Sequence, residues 1–409
     1  MAHLRKIKTN ILSPESSENF IYKQNIIISF DHKITDISED YSEDIQDYTD
    51  YICIPGFIDT HAHISQFQIR GRHSSNLLDW LNDYVFAEEY RSKDGNYAAA
   101  LSRRFYLDAI AKGTTCAVLY TAPFQKACDI AFQEAFELGF RAFIGKTQMD
   151  MNCPDFLQED TDISLKESIE LYEKWDGKSD LLNYIFSPRF APVCTPGLMK
   201  EIGTFIQKNN AYLQTHLSEN TNEINWVRSL FPDCSSYTDV YRKHGLLGPR
   251  TILGHCIHLG EDELKIIQET ASKIAHCPDS NFFLKSGAFP IEKIRNCGIE
   301  FALASDVGAG TSLSMMNVMK MFNYRQDNYI VSPQEAFYYA TLAGAEILGI
   351  SEKTGSITVG KEADLVFLKV KDLVSKSEME ILSELMYLGE EVSVQETVIA
   401  GKTVFLQPS

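Results

Sequence analysis

Eight short apolar runs, each followed by a stretch of helical periodicity, constrain this chain more than any other feature. They are "GFIDTHAH" at 56–63, "TTCAVLYTA" at 114–122, "FRAFIGKTQM" at 140–149, "LLNYIFSPRF" at 181–190, "AYLQTH" at 211–216, "RTILGH" at 250–255, "SKIAHC" at 272–277 and "IEFALASD" at 299–306. Segments such as "QKACDIAFQEAFELG" and "EDELKIIQETA" fall between them, with apolar residues three and four apart. Strands that are apolar on both faces need cover on both sides, and intervening helices supply it in a parallel sheet. Eight such units in succession predict an α/β fold closed into a (β/α)8 barrel. A doubly wound open sheet is the alternative, because spacing alone does not show closure.

The two ends of the chain follow a different period. "NIIISFDHKITDI" near the start and "GSITVGKEADLVFLKV" and "ETVIAGKTVF" near the end alternate as strands do. Neither piece is large enough to bury a core alone, so residues 1–55 and 355–409 are expected to join as a small β-sandwich domain flanking a barrel at 56–354. The acids of "ISEDYSEDIQDYTD" at 37–50 read as a solvated edge of that small domain.

The polar residues sit at the ends of the apolar runs. His61 and His63 close the first, two apart and so on one face of a strand. His216 closes the fifth run, His255 the sixth and Asp306 the eighth, with His276 near the end of the seventh. Taken singly, each is an ordinary buried histidine or a solvated pair. A barrel, however, builds its site from the C-terminal ends of its strands, which would bring all of them to one mouth. Imidazoles with one carboxylate suit Zn2+ with a position left open for water, and Fe2+ accepts similar ligands. Glu219, three residues after His216, is placed either to move a proton beside the ion or simply to begin the next helix.

Charge and composition narrow the partners. With 38 basic against 56 acidic residues the net charge is −18, which repels nucleic-acid backbones and anionic lipid surfaces alike. The N-terminal "MAHLRKIKTN" carries no apolar signal segment, and nowhere do eighteen apolar residues run together, so a soluble cytosolic protein is expected. Nine cysteines without paired spacing fit reduced thiols.

The motifs "PGFIDTHAH", "AKGTTC", "QTHLSEN", "GHC" and "SDV", in that order, resemble those of the amidohydrolase superfamily. "HISQFQIRG", "NLLDWLNDYVFAEE", "SPRFAPVC", "IAHCPDSNFFLKSG", "SDVGAGTSLSMM" and "YLGEEVSVQETVIAGKTVF" are similar to its guanine-deaminating branch, and the likeness covers nearly the whole chain. The resemblance implies a metal held by His61, His63, His216 and Asp306, one zinc ion per chain with iron as the variant. It implies His255 and Asp306 as the groups that orient the attacking water and Glu219 as the proton shuttle. Gln66, Arg189 and Phe190 would hold the purine base, with His216, Glu219 and Asp306 also touching it. The implied reaction is hydrolytic deamination of guanine to xanthine and ammonia, in a homodimer.

Without the resemblance, Gln66 reads as solvated, Arg189 as paired with a surface acid and Phe190 as core. The fourth run ends in "SPRF", where some relatives carry a carbamylated lysine; arginine stays protonated, so a single metal is implied. Lys146 on the third run reads as structural. Asp279 and Arg70 depart from the branch's usual residues and leave the polarity around the mouth open. Two rivals remain: another enzyme of the superfamily acting on a triazine or modified nucleoside, and a barrel of this type serving as a scaffold without catalysis.

Overall fold

The computed structural model describes residues 4–39, 44–74, 76–326 and 328–408. All eight apolar runs form strands: β5 (Phe57–His63), β6 (Thr114–Thr121), β7 (Arg141–Gln148), β8 (Leu182–Pro188), β9 (Tyr212–Leu217), β10 (Thr251–His255), β11 (Lys273–His276) and β12 (Phe301–Leu303). They lie side by side in chain order, every adjacent pair parallel. Successive strands are joined through helices such as Gln125–Leu138, Thr161–Trp175 and Pro196–Asn209, whose apolar faces cover the sheet. Strands β5, β6 and β7 are buried along their whole length, which explains why their sequences do not alternate.

The seam between β12 and β5 is closed by hydrogen bonds that run past the short last strand. The Thr60 hydroxyl donates to the Leu303 carbonyl at 2.9 Å, the Asp306 amide to the His61 carbonyl at 2.8 Å, and the His63 amide to the Val307 carbonyl at 2.5 Å. The buried Asp59 carboxylate ties the seam further, accepting from the Ser305 amide at 2.9 Å. Asp306 is thus locked to the strand that carries His61 and His63.

Strands from both ends of the chain, β1 (Arg5–Pro14), β2 (Phe20–Phe30), β3 (Ile34–Ser38), β4 (Gln46–Pro55), β13 (Leu365–Lys369), β14 (Ser393–Ile399) and β15 (Lys402–Leu406), form a second, seven-stranded sheet. Its order is β15-β14-β13-β4-β1-β2-β3. Alternation along the strands divides the side chains: Cys53, Leu365 and Phe367 enter a small core with Ile7, Ile28 and Val398, while Ile52, Ile54, Val366 and Leu368 join the main core against the barrel. Bulges in β1, β2, β13 and β14 bend the sheet, and its two ends meet where the Ala363 amide donates to the His32 carbonyl and the Gly401 amide to the Ala363 carbonyl. Part of the acidic stretch near 37–50 falls on residues 40–43, outside the described residues. All nine cysteines are free thiols, six of them buried. No helix of the described residues is long and apolar enough to cross a membrane.

At the N-terminal end of the barrel, away from the strand ends just discussed, Arg141 joins the two sheets. Its Nη2 lies 2.6 Å from Glu362 and its Nε 3.0 Å from Asp364, all three side chains almost wholly buried. Removing the cation leaves two carboxylates without their counter-charge in a dry setting. Arg141→Met is therefore expected to lower the free energy of unfolding by about 3–5 kcal/mol in a urea titration, and a loss under about 1 kcal/mol would mean that this ion pair does not couple the sheets.

Candidate active site

The residues nominated from the strand ends meet at the C-terminal mouth of the barrel. His61 and His63 project from β5, His216 from β9, His255 from β10, and Asp306 follows β12. The His63 Nε2 stands 3.2 Å from the Nε2 of both His61 and His216, and Asp306 Oδ1 lies 3.4 Å from His61 Nε2 and 3.3 Å from His63 Nε2. One donor atom from each of His61, His63, His216 and Asp306 falls within 4.8 Å of the others. Burial, the largest effect on each, holds the His61 and His63 imidazoles below their ordinary range, His63 at about 3. It holds His216 well below that range, and neighbouring imidazoles push the same way. Neutral imidazoles can each turn a lone pair to a metal, and three nitrogens with one carboxylate oxygen this close together fit a divalent ion.

The backbone helps to aim the cluster. His216 Nδ1–H donates to the Arg189 carbonyl at 2.7 Å, which leaves its Nε2 lone pair for a metal. Gly254 on β10 faces the His61 ring; a Cβ there would sit 3.0 Å from His61 Cε1. Ser218, His255 and Asp306 take left-handed backbone, at φ of 51°, 67° and 47°, a conformation that costs roughly 1–3 kcal/mol each in non-glycine residues. Burial favours the neutral acid at Asp306, but hydrogen bonds from His61 and His63 outweigh it and hold the carboxyl well below its usual range.

A second donor set, His61, His255, Cys277 and Asp306, lies equally close together. Burial pushes the Cys277 thiol well above its ordinary range. His276, expected to converge on the mouth, does not reach it. Its ring stacks on Phe289 at 4.1 Å between centroids, with both nitrogens buried and unpartnered. Side chains alternate along β11, so Cys277 takes the inward position and its neighbour faces the covering helices.

Beside the four-donor cluster, Glu219 Oε2 lies 3.6 Å from His255 Nε2, and Asp306 Oδ2 lies 3.7 Å from the same nitrogen. His255 Nδ1–H donates to the Asn281 side-chain oxygen at 2.9 Å, so Nε2 is the nitrogen turned to both carboxylates. The Ser286 hydroxyl donates to Glu219 Oε1 at 2.9 Å, and His258 secures the loop by donating to the Ser286 carbonyl at 2.8 Å. Burial raises the pKa of Glu219. Burial works the other way at His255, but the Glu219 and Asp306 carboxylates outweigh it and the net shift is upward. Both shifts favour a proton on this pair.

Glu219 does not begin the following helix. Asn220 caps Thr221–Leu230, and Glu223 reaches back to accept the amides of Glu219 and Asn220, each at 3.0 Å. The capping box therefore holds the backbone of Glu219 and leaves its carboxyl for the site.

Gln66 sits in the turn Ile64–Ile69 directly after β5, and Arg189 and Phe190 follow β8. All three are buried and line one pocket of about 420 Å3, mouth included, with His63, His216, Glu219, His255 and Asp306. Arg189 pairs not with a surface acid but with Glu89, which is fully buried: Nη1 lies 2.9 and 2.8 Å from its two oxygens. Gln66 Nε2 donates to the same carboxylate at 2.9 Å. The sequence reading missed Glu89 as a site residue, although it stands within the quoted "NLLDWLNDYVFAEE". That segment folds as helical turns Leu77–Trp80 and Phe86–Arg91 joined by a π-turn at Leu81–Val85, and it also delivers Leu77, Trp80 and Leu81 to the pocket wall.

The remaining expectations resolve locally. Lys146 is buried on β7 and paired with Glu159 and Glu167, which makes it structural. Asp279 accepts from the amide and hydroxyl of Thr311 at 2.7 and 2.8 Å, bracing the loop that follows Asp306. The Arg70 guanidinium lies over the Phe67 ring, 3.7 Å from its centroid, and does not line the pocket.

Comparison with known proteins bears on the family and the fold. The Amidohydrolase family model matches residues 52–404. Guanine deaminase of Escherichia coli strain K12 is 36% identical over 372 residues, covering 88% of this chain and 84% of the relative. Among solved structures, E. coli guanine deaminase aligns with a TM-score of 0.94 at 32% identity, over 99% of this chain and 100% of that one. The C. acetobutylicum guanine deaminase, solved with guanine in its active site, aligns at 0.93 and 33% identity, over 98% of this chain and 100% of that one. The chain belongs to the amidohydrolase family, and it is similar there to guanine deaminases.

Proposed function

We propose that this protein is a guanine deaminase, hydrolysing guanine to xanthine and ammonia, with zinc as its metal at one ion per chain. The observation that carries the reading is that three of the four clustered donors, His63, His216 and Asp306, line a single pocket with the Glu219–His255 pair and the Gln66–Arg189 pair, and His61 completes the donor set behind them. His61, His63, His216 and Asp306 would hold the ion, and three imidazoles with one carboxylate suit Zn2+, with Fe2+ as the competitor. A cation bound there supplies a water acidified enough to attack near neutral pH.

The chain's own groups do the rest. Gln66 and Arg189 hold the base edge-on, and Phe190, itself braced by Trp226 at 6.1 Å, walls the pocket. His255 and Asp306 Oδ2 orient the incoming water, since they share the side of the cluster that faces Glu219. Glu219 takes the water's proton and passes it to the ring nitrogen beside the carbon under attack. The C–O bond forms as that nitrogen is neutralised, so the tetrahedral adduct carries no unpaired buried charge. A second proton, relayed by the same carboxyl, leaves with the exocyclic nitrogen as ammonia when the C–N bond breaks. Kinship supports a homodimer working in the cytosol, which sedimentation and cell fractionation would decide.

The direct test is ammonia release from purified, metal-analysed protein given guanine, adenine, cytosine and a triazine separately. Release from guanine alone with one zinc per chain is expected; metal without guanine turnover would return Gln66 and Arg189 to structural roles. Glu219→Gln should keep its metal and lose about 10²–10⁴-fold in kcat, and full activity would remove it from the proton path. Gly308 supports Gln66 from behind: a Cβ there would meet the Gln66 carbonyl at 2.6 Å. Gly308→Ala is therefore expected to raise KM for guanine about tenfold or more at unchanged metal content. An unaltered KM would show that Gln66 does not need that backing.

A further inference from the structure

We infer that Glu89 is a positioning residue that sets which purine edge the pocket accepts, by fixing the way round in which Gln66 and Arg189 present their hydrogen-bonding groups. The inference deepens the guanine reading and rests on the pocket being a purine site.

A carboxylate has no proton to give, so only the amide nitrogen of Gln66 can face Glu89. With one Nε2–H committed at 2.9 Å, the amide is held in one orientation, and the acceptor it turns away from Glu89 is Oε1. Arg189 uses Nη1 on both oxygens of the same carboxylate, which leaves Nη2 and Nε as its donors. Glu89 thus fixes which way round the amide and the guanidinium sit, with the Gln66 acceptor Oε1 and the remaining Arg189 donors turned away from the carboxylate. It is itself fully buried, and the Phe86 ring packs against Arg189 with the guanidinium carbon 5.7 Å from its centroid, so neither partner has freedom to rearrange.

The complementary ligand edge carries a ring N–H next to a carbonyl. Guanine and hypoxanthine present it at N1–H and C6=O. Adenine and 2,6-diaminopurine present the reverse, an unprotonated N1 beside an amine. Against the fixed pair the reversed edge meets acceptor with acceptor and donor with donor, and both protein groups are left buried and unpaired. Sites built on such hydrogen bonds reject the wrong partner by factors on the order of 10⁴. Rotating the Gln66 amide would cure one mismatch, but it would turn Oε1 onto the Glu89 carboxylate.

The test compares wild type with Glu89→Gln, whose neutral amide can donate to Gln66 as well as accept from it. Two ratios are read: kcat/KM for guanine over 2,6-diaminopurine, which carry the same departing 2-amino group, and the calorimetric Kd of adenine over hypoxanthine, which requires no turnover. For the variant, metal content should be unchanged, KM for guanine should rise at least tenfold with kcat altered less, and both ratios should shrink at least tenfold. Equal losses for both members of each pair, leaving the ratios as in wild type, would reduce Glu89 to a structural acid and overturn the inference. Should Glu89→Gln fail to fold, Gln66→Met keeps the Arg189–Glu89 pair and removes the acceptor. It must also narrow both ratios, and an unchanged preference for hypoxanthine would overturn the inference by that route. Wild-type protein that prefers hypoxanthine but releases no ammonia from guanine would defeat the proposed activity and leave this inference standing. Guanine turnover with ratios insensitive to both substitutions would do the opposite.

Discussion

Four donor atoms held within 4.8 Å of one another in a water-poor mouth are the constraint to which the surrounding structure answers. The imidazole nitrogens of His63 and His216, 3.2 Å apart, come from strands far apart in the chain, and nothing local to either strand would bring them so close. The barrel does it by closure. The hydrogen bonds across the β12–β5 seam bring Asp306 beside His61 and His63, the Arg189 carbonyl turns His216, and the absence of a side chain at Gly254 admits the His61 ring. Left-handed residues at Ser218, His255 and Asp306 store strain at the same mouth, which the packed barrel beneath can sustain.

Around that cluster, buried acids play distinct parts set by what they touch. Asp306 is kept ionised by the imidazoles it faces, whereas Glu219 has only His255 and the Ser286 hydroxyl and is shifted towards the protonated form. Glu223 holds backbone amides and thereby the placement of Glu219, and burial raises its own pKa to about 7. Glu89 holds side chains and thereby the character of the opposite wall. Four carboxyl groups in one small volume would repel one another strongly if nothing stood between them; here Asp306 and Glu219 share His255 while Glu223 is turned to backbone amides and Glu89 to Gln66 and Arg189.

Much of this was legible along the chain. The eight apolar runs became the eight barrel strands because a strand covered on both faces has to be apolar throughout, a property that survives in one dimension. Histidine or aspartate at strand ends marked the mouth, since barrel topology sends every strand end to the same side. His276 shows the limit. Its position in the seventh run looked like that of the others, but a shift of one residue in a period of two turned it to the helices and gave the inward place to Cys277.

What the sequence determined by itself was the kind of fold and the set of histidines and acids gathered at the strand ends, because these depend on residue type and on periodicity. What only the tertiary structure decided was how distant residues act on one another. Glu89 is 100 positions from Arg189 and 23 from Gln66, and nothing local distinguishes it from Glu88, which pairs with Arg91 nearer the surface. Likewise Arg141 finds Glu362 and Asp364 only because both chain ends return to the base of the barrel. Such pairs form where burial strengthens the attraction between opposite charges, and burial is a property of the folded chain as a whole.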